Sequence, residues 1–115
     1  MKREFKVVLS EDAKGDYYTL PIDVWVNCNT MLDKLRSSRK RLGIELEDKD
    51  GMDLRGLYKL YFNKTGYRIV YKVKKVLAEP TRVRETLEIT AIGARKNVYK
   101  KAYDRIKKKD LGVPR

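Results

Sequence analysis

The chain has 115 residues, 42% hydrophobic and 10% aromatic, which suits one compact domain spanning 1–115 with a single core and leaves no room for two. Charge breaks every apolar run within a few residues, excluding the roughly 18-residue apolar stretch of a membrane span and the core of a signal peptide, so a soluble, cytoplasmic protein is expected. A lone Cys28 and no His exclude an intramolecular disulfide and a thiolate or imidazole metal site, while the net charge of +12 sets the expected partner as a polyanion.

In chain order, Phe5-Lys6-Val7-Val8-Leu9 is a short apolar run ended by Ser10-Glu11-Asp12, which reads as a strand followed by helix-starting residues. Pro21 should end that first helix and open a second from its first turn. From there Ile22, Trp25, Cys28 or Asn29, Leu32 and Leu35 recur at spacings of three and four, predicting a helix to about Arg41 with Gly43 as its stop. Trp25, Cys28 and Leu32 are expected in the core. The stretch from Glu45 to Asp53 reads as a loop holding a turn at Lys49-Asp50-Gly51.

Leu57 to Phe62 and Tyr67 to Val73 alternate with period two around Asn63-Lys64-Thr65-Gly66, a hairpin pattern. Pairing Phe62 with Tyr67 sets Leu60 opposite Ile69 and Tyr58 opposite Tyr71. One face then carries Tyr58, Leu60, Phe62, Tyr67, Ile69, Tyr71 and Val73, all able to pack on the helices; the other carries Lys59, Tyr61, Arg68, Val70 and Lys72 and is basic and aromatic. A charged connection through Glu79-Pro80 leads to a last strand from Leu87 to Ile92, ended by Gly93. Val98, Tyr99, Ala102, Tyr103 and Ile106 give the final segment a helical stripe. The order β, α, α, β, β, β, α indicates an α+β domain with a mainly antiparallel sheet.

Charge is unevenly placed along this order. Residues 1–50 hold 10 Lys/Arg and 10 Asp/Glu, net 0, and residues 51–115 hold 18 and 6, net +12. A field of that sign concentrates nucleic acid or a strongly acidic protein.

Leu54-Arg55-Gly56-Leu57-Tyr58-Lys59 followed by Gly66-Tyr67-Arg68-Ile69-Val70-Tyr71-Lys72-Val73 resembles the central hairpin of toxins of the RelE/ParE superfamily. Ala91-Ile92-Gly93-Ala94-Arg95 and Val98 to Ile106 are similar to that family's last strand and terminal helix, so the resemblance is specific over roughly residues 54–106. It implies a RelE-like fold, with N-terminal helices packed on the sheet and a C-terminal helix, and an acidic antitoxin as partner. RelE-like members cleave mRNA in the ribosomal A site, whereas ParE-like members inhibit DNA gyrase on the same fold. By position, the resemblance implies that Lys59 is a catalytic lysine, Arg68 the arginine on the scissile phosphate, Arg95 a second basic residue and Tyr99 the aromatic residue of the terminal helix. It places Arg55 against RNA backbone, and Tyr61 and Lys72 lie on the same basic face. The four matches at Lys59, Arg68, Arg95 and Tyr99 favour the nuclease branch. This sequence departs from the best-known members at Tyr61, where they carry a second lysine.

RNA supplies its own nucleophile, the 2′-hydroxyl, so such an enzyme needs a base, an acid for the leaving 5′-oxygen and positive charge on the phosphorane. Without His, and with no cofactor or metal expected, Lys59 is the first candidate base, about 7 Å diagonally from Arg68 at the Cβ atoms. Arg68 and Arg95 would fork onto the non-bridging oxygens. Tyr99 either stacks on a base, reaches the 2′-oxygen or serves the core; Tyr61 either stacks on a nucleotide or takes over part of the proton handling. Cleavage slower than in a two-lysine member is expected. A binding homologue that has lost catalysis and a gyrase inhibitor are the alternatives. Lys107-Lys108-Lys109 reads as a solvated helix end, and Glu85 and Glu88 as charges of a loop or edge strand.

Overall fold

The computed structural model describes residues 2–110, with side chains over 3–108; the ends of the expected 1–115 domain and the Lys109 side chain lie outside the described residues. Elements run β1 (Lys2–Leu9), α1 (Glu11–Tyr18), α2 (Ile22–Ser37), β2 (Ile44–Glu45), β3 (Leu57–Tyr61), β4 (Tyr67–Glu79), β5 (Arg82–Ala94) and α3 (Arg95–Asp110). They form one five-stranded sheet of order β1-β5-β4-β3-β2, antiparallel except for the parallel β1–β5 pair. The α+β expectation holds, with a single parallel pair in an otherwise antiparallel sheet.

Local chemistry accounts for the helix starts. The Ser10 side chain accepts from the Ala13 amide at 3.1 Å, and Glu11 and Asp12 follow in the first turn, where a carboxylate meets the positive end of the helix. Pro21 then stands just before α2, as its fixed φ and missing amide allow. The predicted stripe is displaced at its start: Val24, Cys28, Leu32 and Leu35 are buried, Trp25 is half-buried and Ile22 is exposed. Successive steps of three drift round a helix of 3.6 residues per turn, so the stripe extrapolated back to Ile22 leaves the core face.

α2 stops at Ser37, earlier than the sequence suggests, and Gly43 is not its stop. Ser38 turns extended, and the following segment is tied to the sheet: Arg41 Nε donates to Glu85 at 2.7 Å, its Nη2 also donates to Glu85, and the Tyr71 hydroxyl donates to the Leu42 carbonyl. Within the predicted loop, Ile44 and Glu45 pair with Lys59 and Tyr58 as β2, and a Lys49–Met52 bridge closes over Asp50 and Gly51, both at positive φ, as the turn signal required.

The β3–β4 register is the predicted one, with Leu60 opposite Ile69 and Tyr58 opposite Tyr71. The face that includes Leu60, Phe62, Ile69 and Tyr71 packs on α1 and α2 in one core cluster with Cys28, Leu32, Leu35, Leu87 and Ile92. The opposite face is not simply an open basic one. Val70 and Ala91 are fully buried beneath Val98, Tyr99 and Ala102 of α3, with Leu46 and Leu54 of the 46–54 segment closing the side. Two helical layers therefore sandwich the sheet. The charged connection is itself structured: β4 and β5 continue as a ribbon to Glu79 and Arg82, and β1 lies along its β5 side. Glu85 and Glu88 accordingly sit on a strand flanked on both sides, buried and ion-paired to Arg41 and Lys74, which corrects their placing in a loop or edge.

Candidate anion-binding site on the central hairpin

The β3–β4 hairpin brings the central candidates together. Asn63 Oδ1 accepts from the Tyr67 amide at 3.0 Å, and Gly66 takes φ +90 to turn the chain back, which fixes Tyr61 directly across from Arg68. Lys59 pairs with Val70, so Lys59 and Arg68 are the diagonal neighbours that the sequence predicted. Both cations converge on Tyr61: the Arg68 Cζ lies 4.2 Å and the Lys59 Nζ 5.4 Å from its ring centroid.

Arg68 is only 6% exposed, although a guanidinium is rarely buried without a carboxylate. Its Nη1 donates to the Gly66 carbonyl at 2.9 Å, and the Tyr61 and Tyr99 rings flank the charge, with the Tyr99 centroid 6.0 Å away. Among the described residues no carboxylate pairs with it, and its Nε is buried without a hydrogen-bond partner. Aromatic faces offset part of the desolvation of such a cation and leave its N–H donors available. A buried, uncompensated guanidinium is a group that an anion would complete.

Tyr61 is 49% exposed and forms the solvent side of this cluster. The positive charge of Arg68, then that of Lys59, stabilises its ionised form and lowers its phenol to about 8. The sequence named Tyr61 for two roles and gave no sign that both cations would gather on it.

Arg95 begins α3, where its backbone amide donates to the same Gly66 carbonyl that holds Arg68; its side chain is exposed and lines a groove of about 770 Å³. Tyr99 and Tyr103 also line this groove, with Lys49 and Lys96. The Tyr99 ring is largely buried in the second core cluster and carries Lys49 Nζ 4.8 Å from its centroid. Lys49 was missed because its reach depends on the Asp50-Gly51 turn folding back towards α3. The other two candidates stand differently. Arg55 turns its fork onto Asp53, at 2.9 Å from both Nε and Nη2, and Lys72 lies 3.8 Å from Glu88.

The solved structures with which the chain can be compared share this architecture. The free RelE toxin of Escherichia coli, a double arginine-to-alanine variant, is 24% identical with a TM-score of 0.59, over 90% of this chain and 98% of that one. A toxin-antitoxin RelBE complex of Mycobacterium tuberculosis contains a chain 18% identical with a TM-score of 0.56, over 80% and 99%. The same E. coli variant bound to an antitoxin RelB peptide gives 18% and 0.52, over 97% of each chain. No protein-family model and no curated protein matches the sequence. The chain therefore has the RelE toxin fold. Among the described residues, no helix is long and apolar enough to cross a membrane.

Proposed function

We propose that this protein is the toxin of a toxin-antitoxin pair and a metal-independent endoribonuclease that cleaves mRNA, in the A site of the ribosome, through attack of the 2′-hydroxyl on the adjacent phosphate. The observation that carries this reading is Arg68, a buried guanidinium with no carboxylate and an unpartnered Nε, set beside Lys59 and a phenol of lowered pKa. That combination supplies charge for a phosphorane and groups for proton transfer without any His. Arg68 binds the non-bridging oxygens from a low-dielectric setting, where a preorganised charge stabilises the transition state more than a solvated one. Arg95, exposed at the start of α3, adds a second fork. Tyr99 acts mainly as a positioning residue, its ring holding Arg68 and Lys49 on one side of the sheet. Proton transfer falls to the Lys59–Tyr61 pair. Arg55, Tyr61 and Lys72 extend the RNA-contacting surface.

An acidic antitoxin follows from the +12 charge concentrated after residue 50, and from the fold shared with chains solved in toxin-antitoxin complexes. A cytoplasmic location accords with mRNA as substrate. The test is primer extension on an mRNA translated in a reconstituted system, with the Lys59→Ala, Arg68→Ala double variant as control. Discrete breaks within A-site codons that vanish in the double variant are the expected result. Intact mRNA with the wild-type chain overturns the reading, and growth inhibition that survives the double substitution points instead to a gyrase-directed toxin.

A further inference from the structure

Resting on the nuclease reading above, we propose that the Tyr61 phenolate takes the proton of the 2′-hydroxyl and that the Lys59 ammonium gives one to the departing 5′-oxygen. The sequence alone favours the opposite use of Lys59, as the base. Geometry decides between them. Among the described residues, Lys59 from its own strand and Arg68 from β4 are the charged groups that face Tyr61; α3 contributes Tyr99, its ring centroid 6.0 Å from the same guanidinium, with Lys49 against that ring. Tyr61 is the exposed member of the central trio and carries its hydroxyl, and both cations lie within 5.4 Å of its ring centroid. Loss of its proton places a negative oxygen beside two positive groups. Loss of the Lys59 proton instead would remove one of the charges that face the growing phosphorane, where positive charge is needed most. The electrostatics agree, since both cations lower the phenol to about 8, leaving about a tenth of it ionised at pH 7.

The step balances within the site. The O2′–H bond breaks and its proton goes to the Tyr61 oxygen, while the O2′ electron pair forms the bond to phosphorus. The P–O5′ bond breaks, its pair stays on O5′, and Lys59 Nζ delivers the proton that makes a 5′-hydroxyl. The other product is a 2′,3′-cyclic phosphate. Tyr61 is left as a phenol and Lys59 as an amine, and one proton moving from the first to the second restores the starting state.

Single-turnover cleavage of ribosome-bound mRNA between pH 6 and 9.5 tests this with the wild type, Tyr61→Phe and Lys59→Ala. The wild-type rate should rise tenfold per pH unit and level near pH 8, and Tyr61→Phe, which keeps the ring and loses the hydroxyl, should lose about a hundredfold or more together with that inflection. An mRNA with sulfur at the bridging 5′-position needs no acid, so it should restore Lys59→Ala and leave Tyr61→Phe slow. Fluorotyrosine at position 61, a second variant that preserves the contacts, should move the inflection to lower pH. Tyr61→Phe cleaving within a few-fold of wild type, or the sulfur substrate rescuing Tyr61→Phe in place of Lys59→Ala, overturns the assignment alone. A wild-type chain that leaves mRNA intact overturns the nuclease reading and this assignment with it.

Discussion

Asp16 of α1 and Arg105 of α3 meet in a two-point ion pair, Arg105 Nη1 donating to Oδ2 at 2.7 Å and Nη2 to Oδ1 at 3.0 Å. The same carboxylate accepts from the Ile92 amide at 3.0 Å and from Lys101 Nζ at 3.1 Å. β1 ends at Leu9 opposite Ile89, so this one side chain satisfies a β5 amide past the end of its neighbour and ties the helix bearing Arg95 and Tyr99 to the opposite layer. Burial opposes ionisation of Asp16, yet the hydrogen bonds from Arg105, Ile92 and Lys101 outweigh it and hold the carboxyl below its ordinary value of 3.8. A depressed folded-state pKa gives stability that is present above 3.8 and lost as pH falls through the lower folded value. Asp16→Ala should therefore cost about 3 kcal/mol at pH 7, with the gap to wild type narrowing at the acid end. Urea denaturation at pH 7 and at a pH below the ordinary carboxyl value of 3.8 measures it, and a pH 7 difference below about 1 kcal/mol refutes the clamp.

Gly43 makes a sharper demand. It takes φ +95, and a Cβ there would sit 2.4 Å from the Lys59 carbonyl oxygen and 3.0 Å from Leu60 Cδ2. Gly56 has a similar φ of +87 with open space around it. Gly56→Ala should cost about 1–2 kcal/mol from backbone strain alone, whereas Gly43→Ala adds the clash and should cost about 3 kcal/mol or more. It should also slow RNA cleavage, because the carbonyl displaced belongs to Lys59. Equal denaturation midpoints for the two variants would sink the argument.

The difference between these glycines shows which parts of the molecule could be read from sequence. Alternation in Tyr58–Phe62 and Tyr67–Val73 allows only one register that buries both apolar rows, so the hairpin and the Tyr61–Arg68 pairing were legible. The outer β4–β5 ribbon was not, because Lys74, Lys75, Arg82 and Arg84 give it a loop-like charge density while the strand that pairs with it, β1, is about 80 residues earlier. Burial of Arg68 and Val70 depends on where α3 docks, which periodicity within the hairpin does not report. Lys59, Arg68 and Tyr61 could be named from their positions; their convergence on one ring required the side-chain geometry.

Cys28 offers an independent check on the core that supports the hairpin. It is fully buried between α2 and the sheet, and burial pushes its thiol up to about 11. At pH 8 the folded protein should react with a thiol reagent only as fast as it opens, and fully once denatured in urea. Complete labelling within seconds while circular dichroism stays native would show that the α1–α2 layer does not pack as described.

Arg68 separates binding from stability most clearly. A paired buried arginine costs several kcal/mol when its partner loses it, but Arg68 has no carboxylate partner among the described residues and pays desolvation against only the Tyr61 and Tyr99 rings and one carbonyl. Arg68→Met keeps much of the stem's packing and removes that buried charge, so the melting temperature should hold or rise. Cleavage should fall by about a hundredfold to a thousandfold, the usual loss when one preorganised stabiliser of transition-state charge is removed. A cleavage-resistant RNA with a 2′-deoxy residue at the scissile position should raise the melting temperature of wild type more than that of the variant, since only a ligand of the folded state shifts it. Thermal melts with and without that RNA, read beside the cleavage rate, check all three. A drop of several degrees with cleavage intact would make Arg68 a structural cation and remove the main support for phosphate binding on this hairpin.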